Sequence, residues 1–238
     1  LVRDSGDQIT GDYESADAGD IQTADSTTEI AGEHDGVTTA DLGGLSGVTI
    51  TGVGGATITD TGSAVADLTN GGAVSDVEVT DLTFEQVDST VIDASGNNNA
   101  DDVTVSGNSL QVTGSPTVVD LTGSSAVKEL SITENSFEAD EDAVNNYDAI
   151  SISELTETAS ESNEVVVDIS DNDIANAENG ILVGELSDDS NGVALTIEDN
   201  TIVVEGTGTN QRAIRVDSSG GTAANSNVDV IGNEISSV

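Results

Sequence analysis

The chain has 238 residues, of which four are Lys or Arg and 46 are Asp or Glu, giving a formal net charge of -42. Recognition of a phosphate backbone or an anionic membrane surface needs a basic patch, and Arg3, Lys128, Arg212 and Arg215 are all the cations present, so both partners are excluded. With no Cys and one His, disulfide scaffolds, thiolate nucleophiles and multi-histidine metal centres are excluded as well.

High charge with few hydrophobes ordinarily leaves a chain disordered. Here 35 % of residues are apolar, many of them Val and Ile in alternating runs, which marks half-buried strands. The chain reads as folded and all-β. At this charge a compact state repels itself unless salt screens it, and the Debye length falls to about 3 Å at 1 M. The near absence of Lys beside such an acid excess resembles the proteins of extremely halophilic archaea and their viruses, and implies a high-salt environment. No apolar run approaches the roughly 18 residues that span a bilayer, so no membrane insertion is expected. The start at Leu1, without a signal-like segment, reads as a processed product or an excised piece.

Taken in chain order, residues 1–44 are irregular, with Ile9, Ile21 and Ile30 isolated among Asp, Ser, Thr and Gly. They are expected to form an N-terminal cap and a partial first rung, covering a strand edge that would otherwise pair with another chain. From Leu45 onward a repeat sets in. Val48-x-Ile50-x-x-Val53 is a degenerate first copy, and Val77-x-Val79-x-x-Leu82-x-Phe84 is a fuller one. Val103-x-Val105-x-x-Asn108-x-Leu110 then brings an Asn to the sixth position, and the pattern returns around Asn135, Asn172, Asn200 and Asn233 at separations of 27, 37, 28 and 33 residues. Each unit carries a second apolar run, such as Val91-Ile92-Asp93-Ala94, Val118-Val119-Asp120-Leu121, Ala149-Ile150-Ser151-Ile152, Ile181-Leu182-Val183 and Ala213-Ile214-Arg215-Val216. Short strands repeated at an irregular period, with the variation placed in polar insertions, describe a solenoid. The alternation predicts that Val103 and Val105 point inward, that the chain bends at Asn108, and that Leu110 and Val112 face inward on the next side. Stacked at about 4.8 Å, Asn108, Asn135, Asn172, Asn200 and Asn233 should form a ladder of amides that ends at Leu82. Asn233 to Val238 stops in mid-rung, and either a continuation of the chain or another subunit is expected to cover that end.

This grammar, carried by the five Asn motifs over residues 45–238, resembles the right-handed parallel β-helix of the pectate-lyase-like superfamily. The resemblance implies an all-β, right-handed parallel β-helix with an Asn ladder. It does not select an activity, because lyases, hydrolases, viral tail spikes and adhesins share the fold.

Asp67, Asp93 and Asp120 fall at matching places in successive units, so one acidic column is expected, with a separation near 5 Å that would suit a retaining glycosidase. The alternative is a solvated acidic face. The resemblance implies an Arg base for a polysaccharide lyase, which makes Arg215 a catalytic candidate beside Asp93 and Asp120. Its other expected role is to pair with Asp217 or with an acid on a neighbouring rung. Arg212 and Arg215 differ by an odd number and should point to opposite sides of a strand unless a bend intervenes. Phe84 and Phe137 read as core, leaving Tyr13 and Tyr147 as the aromatics able to stack on a sugar. His34 lacks a nucleophile partner at recognisable spacing and reads as a surface residue in a turn. The acid-rich stretches Asp140-Glu141-Asp142, Asp168 to Asp173 and Asp188-Asp189 are candidates for Ca²⁺ or other cations, although none matches a known calcium loop; no other cofactor is implied.

The longest insertions are 138–146, 155–164 and 186–192. Glu138, Asp140, Asn146, Glu157, Glu164, Asp188 and Asn191 on them are the candidate contact residues. The expected function is a non-enzymatic, extracellular β-helical module of a halophilic virion (tail spike, turret or fibre) or cell surface. It would form a homo-oligomer, with a trimer favoured, and touch a host glycan or glycoprotein. The alternatives are a secreted lyase or hydrolase acting on acidic glycans and a haloarchaeal cell-surface adhesin.

Overall fold

The structure, a computed structural model, describes residues 7–10, 25–35, 40–59, 64–69, 74–95, 100–121, 129–139, 147–156, 165–187, 192–205, 211–217 and 227–237. They form a parallel β-helix. The strands are β1 (Asp7–Thr10), β2 (Ser26–Asp35), β3 (Ala40–Asp41), β4 (Ser46–Thr59) and β5 (Ala66–Asp67), followed by a regular three-strand turn. The regular turns comprise β6 (Val74–Thr80), β7 (Thr83–Val87) and β8 (Ile92–Asp93), then β9 (Ala100–Ser106), β10 (Ser109–Val112) and β11 (Thr117–Leu121). Next come β12 (Glu129–Thr133), β13 (Ser136–Ala139) and β14 (Asp148–Thr156), then β15 (Val165–Ser170), β16 (Asp173–Ala177) and β17 (Asn179–Ser187). The series closes with β18 (Val193–Glu198), β19 (Thr201–Val204) and β20 (Arg212–Asp217), and with β21 (Asn227–Ile231) and β22 (Glu234–Ser237).

Equivalent strands of successive turns pair in parallel. The first strand of each turn makes a first face and the second strand a second face, joined into one sheet through β4, which pairs with both β6 and β7. The third strands make a separate seven-stranded sheet from β3 to β20. Parallel sheets need crossovers between neighbouring strands, and here the other two faces of the turn supply them.

Register stacks like on like. On the first face Val48, Val77, Val103, Leu130 and Val167 form one buried column and Ile50, Val79, Val105, Ile132 and Ile169 another. On the second face Ile58, Phe84, Leu110, Phe137, Ile174 and Ile202 continue the core, and on the third Ile92, Val119, Ile150 and Ile181 do so. Phe84 and Phe137 are core residues as the pattern predicts. Burial at roughly 25 cal/mol per Å2 of apolar area makes this continuous interior the main source of stability.

The corner between the first and second faces is the most regular part. From β6 to β22 the two strands are always separated by two residues, the first with positive φ where it is Asp81, Gly107, Glu134, Asp171, Asp199 or Gly232. The second is Leu82 or one of the five Asn residues, and Asn108, Asn135, Asn172 and Asn200 are buried. From Asn135 to Asn200 each of these amides accepts two hydrogen bonds and donates at least two. Asn172 Nδ2 donates to Ile132 O at 2.8 Å and to Asn200 Oδ1 at 2.9 Å, while its Oδ1 accepts from the backbone N–H of Asn135 at 3.1 Å and from Asn135 Nδ2 at 3.0 Å. The ladder starts where Leu82 N–H donates to Asn108 Oδ1 at 3.1 Å and runs to Asn233.

Ser26–Asp35, in the segment expected to give a cap and a partial rung, pairs with β4 over nearly its full length, and β1 pairs with it in turn. His34 does not lie in a surface turn. It is buried, at 1 % exposure, because the chain bends at Gly32, where the register shifts, and resumes in step with the second-face half of β4, which sets His34 beside Ile58 and turns its ring inward, where Nε2 stands 3.1 Å from Ala31 O. Among the last strands, Val230 and Ile235 are about half exposed.

Candidate functional site

The outward residues of the first face are set by the same register as the core. The residues just before the buried column of Val77, Val103, Leu130 and Val167 are Asp76 in β6, Asp102 in β9, Glu129 in β12 and Val166 in β15, which places them in one column. The next outward column contains Glu78, Thr104, Ser131 and Asp168. Between these columns lies a shallow groove of about 190 Å3 bounded by Asp102, Thr104, Glu129, Ser131, Val166 and Asp168. Val166 is 44 % exposed there.

Asp102 hydrogen-bonds to both Glu129 and Asp76. Burial, together with the hydrogen bond and the charge of Glu129, pushes the Asp102 carboxyl above its ordinary range. Chemically, the groove offers the hydrogen-bonded Asp102–Glu129 pair, the Asp168 carboxylate two turns from Asp102, and two hydroxyls. Sequence reading missed this set. The signal was the residue immediately before each inward Val or Leu, but the uneven spacing of the repeats hides which of those residues become neighbours.

The third face holds the other carboxylates. Asp41, Asp67, Asp93 and Asp120 are register partners on four successive strands, so the column expected through Asp67, Asp93 and Asp120 exists and extends by one residue. Its local chemistry is that of strand ends. Asp41 Oδ1 accepts from Gly43 N–H at 3.1 Å, Asp67 Oδ1 from Thr69 N–H at 2.8 Å and Asp93 Oδ1 from Ser95 N–H at 2.9 Å. These are Asx turns, in which the side chain replaces a backbone acceptor and stops the strand.

Beyond Asp120 the column runs through Ser151 and Leu182 to Arg215. Arg215 thus stands three rungs from Asp120, roughly 14 Å away at about 4.8 Å per rung, and is salt-bridged to Asp217. The lyase-like grouping of Arg215 with Asp93 and Asp120 is not assembled. Arg212 and Arg215 are both exposed rather than on opposite sides, because Ala213 and Ile214 both pack toward the core and the strand bends between the arginines.

Tyr147 is fully buried and unable to stack on a sugar. Its hydroxyl donates to Ala175 O at 2.7 Å, and burial raises its proton affinity far above that of a free phenol. Nearby, burial raises the Asp148 carboxyl, against an opposing hydrogen bond from Asn179 Nδ2 at 2.7 Å. Of the proposed contact residues Glu138 is exposed at the end of β13, while Asp140, Asn146, Glu157, Glu164, Asp188 and Asn191 lie outside the described residues, as do the cation candidates Asp142 and Asp189 and the aromatic Tyr13. Among the described residues no group of three or more His, Asp or Glu side chains is placed to hold a metal ion. Nor is any helix there long and apolar enough to cross a membrane. No protein-family model, curated protein or solved structure matches this chain.

Proposed function

We propose that the chain is a non-enzymatic, extracellular display rod. It is a parallel β-helix adapted to molar salt that forms part of a virion surface (tail spike, turret or fibre) or a cell surface, and it presents loops to a host glycan or glycoprotein. The observation that supports this is where length varies. From β6 to β22 the corner is held at two residues, whereas the second-to-third connection ranges from residue 178 alone to 140–147, and the third-to-first connection from 42–45 to 218–226. A scaffold that conserves one edge and diversifies the other two keeps its core in phase while offering variable surface. Assembly into a homo-oligomer, with a trimer favoured, belongs to the same reading, as does the kinship with pectate-lyase-like β-helices.

The test is attachment. Variants in which 140–146, 157–164 or 188–191 is replaced by a short Gly-Ser turn should keep the parent unfolding midpoint in molar salt. At least one should lose most of its binding to haloarchaeal cells or to their purified surface glycoprotein. Undiminished binding by all three overturns the display role.

The Asp102–Glu129 pair supports a second reading, a glycan hydrolase working in the first-face groove. The pair is in direct hydrogen-bonding contact, tighter than the ~5 Å separation of a retaining glycosidase, so Asp168 would have to act as the second carboxylate. Release of reducing ends from an acidic polysaccharide such as polygalacturonate, abolished by Glu129→Gln, would establish this reading. The display role expects no product.

A further inference from the structure

Several features change together at the boundary between residues 69 and 74. The amide ladder ends there: Leu82 N–H takes the last ladder bond, so the corner of the preceding turn has no Asn closing it. That corner is built differently. In β4 the first and second faces run as one strand through Gly54 and Gly55, whose φ values are 66° and 80° and around which a side chain would meet open space. Pairing of β4 to the following turn is split, Ser46–Thr51 with Ser75–Thr80 and Thr57–Thr59 with Thr83–Glu85, and its pairing with β2 also shifts register at this corner, between Ala31 and Glu33.

The interior changes too. Thr28 stands in the column of Ile50 and Val79, and His34 in the column of Ile58 and Phe84, so the earliest turn buries polar groups where later turns bury hydrocarbon. On the third face Ala66 occupies the column that continues as Ile92 and Val119. Each change reduces apolar burial or removes corner hydrogen bonds, and all fall on the same side of one boundary.

We infer that β2 to β5 form a separately opening unit that parts from the ladder-closed rod without unfolding it. This holds whether or not the chain is a display rod, since it rests on interior features alone. Parting would uncover the edges of β6 and β7. Gly52 keeps the boundary closed, because an added Cβ there would collide with the carbonyl oxygen of Asp81.

Hydrogen exchange of the full chain in molar salt, read by mass spectrometry, tests this. The slowest amides of β2 and β4 should exchange at least about tenfold faster than those of β12, β15 and β18, with the step between residues 69 and 74. Uniform protection, or a gradual slope without that step, overturns the inference. Gly52→Ala should accelerate exchange in β2 to β5 alone, and Leu82→Asn, which offers the ladder one further amide, should slow it there. Acceleration of the whole chain by Gly52→Ala overturns the inference even if that variant is only marginally folded, because Leu82→Asn reads the same boundary in the opposite direction.

Discussion

The side chain at the corner carries more than its size suggests. An Asn at this place accepts two hydrogen bonds through Oδ1 and donates through Nδ2 to a carbonyl of the preceding turn, so it completes the polar groups that a sharp bend leaves exposed. Asn172→Ala leaves the Asn135 N–H and the Ile132 carbonyl buried without those partners, and about 3 kcal/mol of stability should be lost in a denaturant titration. Asp102 makes the opposite kind of contribution. Its folded proton affinity is raised above the ordinary value of 3.8, so its stabilising contribution is complete below that value and is lost as the pH rises through the raised one. Asp102→Asn retains a residue that tolerates positive φ and removes the titration. Unfolding midpoints of variant and parent should lie close together near pH ~4 and diverge toward pH ~7, with the variant the more stable.

How strands were read from the chain depended on how straight they run. The inward pattern of the first and second faces, the bend at Asn and the end of the ladder at Leu82 were all readable, because two-residue alternation flanks the corner in each turn and the irregularities in β6, β7 and β16 fall away from it. The third face was harder. Val118 and Val119, Ala149 and Ile150, and Gly180 and Ile181 are consecutive buried pairs, so the strand bends and parity fails beyond the pair. That is why Arg212 and Arg215 emerge on the same side. The groove was hidden for another reason, since its carboxylates are neighbours only through a register that insertions of unequal length obscure in the sequence. At the third-face bend, a methyl added at Gly180 would stand 2.6 Å from Ala213 O and 2.9 Å from Ile202 Cγ2. Gly180→Ala should therefore cost about 2 kcal/mol, measured by the same titration, without altering the strand content seen by circular dichroism.

The charge of the entire chain sets the conditions under which all of this stands. With a net charge of -42, carboxylates are stacked on successive rungs along Asp41, Asp67, Asp93 and Asp120, and repulsion between neighbours must be screened. The Debye length is about 10 Å at 0.1 M and about 3 Å at 1 M, against a rung spacing of about 4.8 Å, so only molar salt screens adjacent rungs. The thermal midpoint should fall steadily as KCl is diluted from about 3 M to about 0.1 M. Sucrose of equal osmolality should fail to restore it. Full rescue by sucrose would assign the effect to solvent exclusion instead of screening.

The invariant two-residue bend also turns the molecule into a digital ruler. Because each amide seat is identical to the next, a whole course of chain, such as residues 135–171, could be excised or duplicated and the seats on either side would still mate. Length would then change only in whole increments of about 4.8 Å, with no intermediate sizes.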